Sequence, residues 1–278
     1  MAIQLIGIDV DGTLLDSRNR LTAETVSALQ EAADSGVEVV LATGRMLSEC
    51  GELLAQLPMI HYAVTCTGTE VVDLQTKKTI TRHSLAADQL RHLCGIFAGL
   101  DVMFQIFDSR DGLMHNSTWH LDHAERYCNP DLAKAIRRYH AAEADLDSYV
   151  AAYEGSTNKI HMFFGSMADK NEAVRRMKGE PFLWMDSQGN DLEIMPLGID
   201  KGVGLRDLAE YLGLETENVM ALGDSGNDIG MLRYAGLAVV MANGTDEAKA
   251  FADRITLDHD HDGVAAAVRQ VLREQAKP

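Results

Sequence analysis

The chain has 278 residues, 46% of them hydrophobic, which is enough to bury the core of one large domain or two modest ones and argues against disorder. Its 42 acidic and 25 basic side chains leave a formal charge of -17, which disfavours nucleic-acid backbones and anionic membrane surfaces as partners. Cys50, Cys66, Cys94 and Cys128 show no paired spacing, so neither a zinc knuckle nor a disulfide framework is indicated and reduced thiols are expected.

The first residues, Met1-Ala2-Ile3-Gln4, carry no basic leader region, and no run reaches the roughly eighteen apolar residues of a membrane span. A soluble, cytoplasmic protein is expected. The run Ile3–Val10 is apolar and β-branched, as a strand buried on both faces should be. It ends in two aspartates, Asp9 and Asp11, and enters Gly12-Thr13-Leu14-Leu15. Thr22 caps a helical pattern ending near Gly36, and Glu38–Ala42 reads as a second strand. Thr43-Gly44-Arg45 follows, then a helix to about Leu57 stopped by Pro58, then a third strand, Tyr62–Cys66. This β-α-β-α-β order implies a parallel sheet, with α/β as the fold class.

The alternation then breaks. Val71–Asp73 and Thr79–Thr81 flank a polar stretch and predict a hairpin. From about Ser84 to Gly189 helices (Ala86–Leu100, Leu132–His140, Asp169–Met177) mix with strands (Val102–Phe107, Lys159–Phe164, Phe182–Met185), the pattern of an α+β insert. After a turn signal at Gln188-Gly189-Asn190, Leu192–Met195 is expected to resume the first domain. Lys201 opens a helix through Leu212, Val219–Leu222 and Leu237–Val240 are strands, and helices begin near Asp228, Asp246 and Gly263, with the tail frayed after Leu272. The expected division is therefore a catalytic core of residues 1–83 plus 190–278 and an inserted α+β domain of residues 84–189.

Four separated segments deliver polar residues after an apolar strand or at a helix start: Asp9/Asp11, Thr43/Gly44, Lys201, and Gly223-Asp224-Ser225-Gly226-Asn227-Asp228. In a parallel sheet such positions converge on the carboxyl edge, where open α/β folds build their sites. Each signal is weak alone; in this order, each at a strand end, they are strong.

These four motifs resemble those of the haloacid dehalogenase superfamily of phosphohydrolases, in particular its Cof-type branch of sugar and small-metabolite phosphatases. The resemblance covers nearly the whole chain. It implies a Rossmann-like core with a mobile cap of the C2 type inserted after the third strand, and an aspartyl-phosphate mechanism. Asp9, ionised at neutral pH, is then the nucleophile. Asp11 is the general acid and then base, which requires it to be protonated at the first step. Asp9 and Asp224 are the expected side-chain ligands of Mg2+, a cation that prefers hard oxygen donors, and the resemblance adds the backbone carbonyl of Asp11. Lys201, Thr43, the main-chain N–H of Gly44, Asn227 and Val10 contact phosphate, while Asp228 orients its neighbours from behind. Gly12 permits a tight bend.

Asp11 decides against the founding dehalogenase reaction, because halide leaves without a proton. A small phosphorylated metabolite is the expected partner, with no nucleic acid or membrane. A phosphomutase or other phosphotransferase on the same core, and a non-enzymatic phospho-aspartate signalling module, remain alternatives. One departure from the family pattern is Thr67-Gly68-Thr69 where Cof-type members usually show Asn-Gly. Asp258-His259-Asp260-His261-Asp262-Gly263 begins like a calcium loop, but its twelfth position is Arg269, and a solvated loop before the last helix is expected instead. His115, His120 and His123, with Asp122 and Glu125, suggest a second metal site, but surface or substrate-facing polar residues explain them more simply.

Overall fold

The structure, a computed structural model, describes residues 2–185 and 189–277; Gln188 of the expected turn lies outside the described residues. The chain divides into two compact units, Met1–Arg82 with Ile199–Pro278, and His83–Gly198.

The first unit is built on an eight-stranded sheet. In chain order its strands are β1 (Leu5–Ile8), β2 (Glu38–Ala42), β3 (Tyr62–Thr65), β4 (Glu70–Asp73), β5 (Lys78–Arg82), then β13 (Val219–Gly223), β14 (Leu237–Val240) and β15 (Arg254–Ile255), the numbers between belonging to the second unit. The spatial order is β15-β14-β13-β1-β2-β3-β4-β5. The six strands from β15 to β3 run parallel, and the β4–β5 hairpin closes the edge antiparallel. This is the doubly covered α/β sheet the sequence predicts.

Burial on both faces explains the unbroken apolar strands. On one face Ile6, Ile8, Val39, Leu41, Met220 and Leu222 pack with the helices Ala23–Asp34 and Gly263–Gln275. On the other, Leu5, Val40, Ala42, Val64 and Ala221 meet Leu205 and Leu208 of the helix Lys201–Leu212. The helix expected up to Leu57 is instead a 3-10 turn, Leu47–Cys50, running into one turn of α-helix, Gly51–Leu54. The last helix reaches Gln275, whose Oε1 accepts the backbone N–H of Ile3, so the tail is held rather than frayed to that point.

The second unit carries its own sheet: β6 (Leu85–Ala86), β7 (Val102–Asp108), β8 (Leu113–Ser117), β9 (His140–Glu143), β10 (Ser156–Phe164), β11 (Phe182–Met185) and β12 (Asp191–Pro196). Its order is β11-β12-β10-β7-β8-β9, with β6 also on β10, and only β8 and β9 are parallel. Two expectations change here. Residues 192–195, expected to return the chain to the first unit, lie in β12, which pairs with β10 and β11. The pattern Leu192-x-Ile194 suits a strand of either sheet, so it carries no information about which one. Strands β8 and β9 were not expected: His115-Asn116-Ser117 and His140-Ala141-Ala142-Glu143 lack the apolar alternation that marks a strand.

Candidate active site

The site grows from the carboxyl ends of β1, β2 and β13. Asp9 directly follows β1, and its backbone N–H extends the pairing to the carbonyl of Leu222 (3.0 Å). The chain then makes a wide turn over Val10–Leu14, closed by Leu14 N–H on the Asp9 carbonyl (3.2 Å) and Leu15 N–H on that of Val10 (3.0 Å). Gly12 sits at φ +87, and a Cβ there would lie 2.6 Å from Asp224 Oδ2. Only glycine therefore lets this backbone lie against that carboxylate.

Lys201 is the first residue of its helix, and Asp200 caps that helix by accepting the N–H groups of Gly202 (2.8 Å) and Val203 (3.1 Å). Close approach seats it: a Cβ on Gly68 would fall 1.9 Å from the carbonyl oxygen of Asp200, and one on Gly230 would run into the Asp200 carboxylate. Fully buried, Lys201 donates through Nζ to Asp9 Oδ1 (2.5 Å) and Asp228 Oδ1 (2.7 Å). Asp228 Oδ2 in turn accepts the N–H groups of Asp224 (2.8 Å) and Ser225 (3.0 Å), which shapes the turn after β13. Thr13 Oγ1 donates to Asp224 Oδ1 (3.3 Å).

Two carboxylates, Asp9 and Asp228, thus share one lysine, and Asp224 lies beside them. Burial, and after it the charge of Asp228, pushes the Asp9 carboxyl well above the ordinary range, against the pull of Lys201. The same two causes raise Asp224 to about 6. Burial works against the charge on Lys201, but Asp228 and Asp9 outweigh it and raise its pKa. Carboxylate oxygens of Asp9, Asp224 and Asp228 lie within 4.8 Å of one another and could hold a metal ion. An all-oxygen set whose crowding raises two of its own members fits a hard divalent cation. Asp228 already has both oxygens committed to protein donors, so Asp9 and Asp224 are the better ligands.

The other expected residues divide. Thr43 is buried at the end of β2, its N–H on the Val64 carbonyl (2.9 Å) and its Oγ1 accepting the N–H of Arg45 (3.1 Å); Gly44 lies in the turn between them. Val10 points its side chain into the apolar core, which leaves only its main chain for a ligand. Asn227 lies in the turn after β13, its Oδ1 accepting from Ser225 Oγ (2.9 Å). Asp11 does not join the carboxylate cluster. Its side chain is 55% exposed and lies in the fork of Arg45, whose Nε donates to Oδ2 (2.9 Å) and whose Nη2 donates to Oδ1.

Arg45 was missed in the sequence, although it directly follows Thr43-Gly44. Asn243 and His259, which contact the carbonyl of Gly12, carry no local signal. The group of His115, His120, His123, Asp122 and Glu125 does not assemble as one site: His115 pairs with Glu143 (2.7 Å) and Asp111 (2.9 Å), His120 Nδ1 bonds Ser117 Oγ (2.7 Å), His123 Nδ1 bonds the Trp119 carbonyl (2.8 Å), and Glu125 pairs with Arg137. Among the described residues no helix is long and apolar enough to cross a membrane.

Residues 6–268 match the family model of the haloacid dehalogenase-like hydrolases. The 5-amino-6-(5-phospho-D-ribitylamino)uracil phosphatase YcsE of Bacillus subtilis is 32% identical over 268 residues, covering 96% of this chain and 95% of its own. A putative phosphatase of Streptococcus pyogenes is 32% identical over 282 residues, covering 97% and 98%. In fold, a haloacid dehalogenase-like hydrolase from Bacteroides thetaiotaomicron superposes with a TM-score of 0.83 at 24% identity, over 97% of this chain and 99% of its own. A match spanning the Asp9 motif, the three later motifs and the insert among them places the chain among the haloacid dehalogenase-like hydrolases, in their Cof-type phosphatase branch.

Proposed function

We propose that the protein is a Mg2+-dependent phosphatase that hydrolyses small phosphorylated metabolites, sugar phosphates or related phosphomonoesters, through an aspartyl-phosphate on Asp9. One observation carries the reading: Asp9, Asp224 and Asp228 gather around the buried Lys201 at the ends of parallel strands. Asp9 and Asp224 would hold the cation, joined by the backbone carbonyl of Asp11. Bound there, the cation supplies positive charge that offsets the repulsion between carboxylate and phosphate and polarises the phosphoryl group.

Lys201 occupies Asp9 Oδ1 and leaves Oδ2 to attack phosphorus. The new Asp9–P bond forms as the ester P–O bond breaks, and the leaving alkoxide takes a proton from Asp11. Water then attacks the phosphorus of the aspartyl-phosphate, giving one proton to the Asp11 carboxylate and releasing inorganic phosphate and free Asp9. Thr43, the N–H of Gly44, the main chain of Val10 and Asn227 serve the phosphoryl oxygens as donors, and Lys201 adds a fixed charge. Asp228 holds Lys201 and the turn that carries Asp224. For Asp11 to act, its carboxyl leaves the Arg45 fork, so Arg45 enters the mechanism as the group that holds it between turnovers.

The Bacillus subtilis relative's phosphoribityl-pyrimidine is the first metabolite to assay, within a wider panel of sugar phosphates. Purified protein is expected to hydrolyse p-nitrophenyl phosphate with magnesium and to stop with EDTA. Acid-quenched protein should carry radiolabelled phosphate on Asp9. Activity indifferent to EDTA, or an Asp9→Asn variant at full rate, overturns the reading. Exchange of label between sugar phosphates without release of inorganic phosphate would make the enzyme a mutase instead.

A further inference from the structure

The carbonyl of Gly12 accepts two hydrogen bonds from the far end of the first unit. Asn243 Nδ2 donates at 2.9 Å and His259 Nδ1 at 3.1 Å. A carbonyl oxygen only accepts, so this contact requires His259 to carry its proton on Nδ1. The two donors are themselves joined, the N–H of His259 donating to Asn243 Oδ1 (3.0 Å).

The surrounding segment follows the same loop. Asp260 Oδ1 accepts the N–H of Ser17 (2.9 Å), and Asp262 Oδ1 accepts the hydroxyl of Thr22 (2.6 Å). Asp258 closes its own turn on the N–H of Asp260 (2.9 Å) and on His261 Nδ1 (2.6 Å). The Asp-His-Asp-His-Asp run is therefore not a calcium loop. Its carboxylates hold protein donors, and residues 259, 260 and 262 grip the segment from Gly12 to Thr22.

We infer that His259 and Asn243 are positioning residues of the active site, fixing the peptide plane after Gly12 so that the turn carrying Asp9 and Asp11 stays pressed against Asp224. The need for such a clamp is local. Asp11 and Gly12 have non-helical φ/ψ within the wide turn, so its own hydrogen bonds leave this plane poorly determined. Both lone pairs of the Gly12 carbonyl are instead filled from outside. The catalytic part of the inference rests on the proposed roles of Asp9 and Asp11; the clamp itself does not.

The test compares His259→Phe, which keeps a ring but loses the donor, with His259→Asn, whose Nδ2 reaches the position of Nδ1, and with Asn243→Ala. Amide hydrogen exchange at Leu14 and Leu15 in the metal-free, full-length chain is the first readout. Steady-state hydrolysis of p-nitrophenyl phosphate at saturating magnesium is the second. His259→Phe and Asn243→Ala are expected to speed exchange at both amides and to lower kcat about five- to tenfold, the range for one lost hydrogen bond, with KM within about twofold. His259→Asn restores both. Wild-type exchange and kcat in His259→Phe, or His259→Asn as impaired as His259→Phe, overturns the inference. Should His259→Phe fail to fold, Asn243→Ala decides by the same readouts. If the wild type proves to lack phosphatase activity, the proposed function falls while the exchange measurement still decides the clamp.

Discussion

Among the described residues two clusters have the spacing of a metal site, and they are chemically opposite. In the first unit Asp9, Asp224 and Asp228 cluster, with one lysine paired to Asp9 and Asp228; in the second Asp108, Asp111 and His115 bring ligand atoms equally close. Burial alone would raise Asp108, but Arg110, through its side chain and backbone N–H, and Tyr149 pull it down to about 2. It accepts the N–H of Arg110 (2.8 Å), Arg110 Nη2 (2.6 Å) and Tyr149 OH (2.8 Å). His115 lies between Glu143 (2.7 Å) and Asp111 (2.9 Å), stacked on Tyr149. Asp9 and Asp224 move the other way. Spacing does not separate the two clusters; the downward shift of Asp108 against the upward shifts of Asp9 and Asp224 does. A lowered acid is already satisfied by protein donors, whereas a raised one is waiting for charge it lacks.

The largest effect that can break this contrast is on catalysis. Asp9→Asn removes the nucleophile and is expected to lower kcat at least about a thousandfold, whereas Asp111→Asn in the other cluster should leave it within about twofold. Comparable losses in both, measured by phosphate release, would erase the distinction. On stability the order reverses. Asp108→Asn puts a poorer acceptor at a buried position facing the half-exposed Arg110 and the partly buried Tyr149 hydroxyl, and should cost about 2 kcal/mol in urea unfolding at pH 7. The wild-type contribution of Asp108 should fade as pH falls from about 4 to about 2, because its folded pKa lies below its unfolded one. A neutral result at Asp108 would mean its network is ornamental to the fold.

Asp224 tests the same idea with the opposite sign. Its folded pKa, about 6, exceeds the ordinary value of 3.8, so the folded protein binds more protons than the unfolded chain between these values. Metal-free stability should therefore fall as pH rises from about 4 to about 6 and stay lower above that. Asp224→Asn should raise metal-free stability at pH 8 by about 1 kcal/mol, partial exposure discounting the full shift, while weakening magnesium binding and activity. Millimolar magnesium should stabilise the wild type and not the variant. Thermal unfolding with and without EDTA reads both, and a variant less stable than wild type without metal would show that Asp224 is not strained.

The legible parts of the molecule were those where local chemistry and position coincide. Apolar strands β1, β2, β3, β13 and β14 were legible as the sheet, and the motifs after β1, β2 and β13, with Lys201 opening its helix, as the cluster of Asp9, Asp224, Asp228 and Lys201. Arg45 was not legible because its partner Asp11 is distant in sequence and an arginine after a turn has many ordinary uses. Asn243 and His259 act on a backbone carbonyl, which leaves no trace in side-chain pattern. The fate of Leu192–Met195 depended on which sheet edge accepted it, a tertiary choice that alternation does not encode.

The contrast between a stressed and a satisfied unit extends to the backbone, and there the expected effect is smallest. The described non-glycine residues with positive φ are Asn19, Cys66, Thr67, Lys77 and Asp262, all in the first unit. Cys66 (φ 49), Thr67 (φ 60) and Gly68 (φ 92) are consecutive, and β-branched Thr67 is poorly suited to this conformation. Hydrogen bonds hold it there: Cys66 N–H to the Arg45 carbonyl and Thr67 N–H to that of Thr43, both 2.9 Å. The turn thus anchors the Thr43–Arg45 loop at the expense of local strain. Asparagine tolerates left-handed φ far better. Thr67→Asn is expected to stabilise the protein by about 0.5 to 1 kcal/mol in thermal unfolding, whereas Thr67→Val, equally branched and lacking the hydroxyl, should destabilise it. Were Thr67→Asn to lower stability as Thr67→Val does, the threonine side chain would outweigh the backbone cost, and the strain would belong to the carboxylates alone.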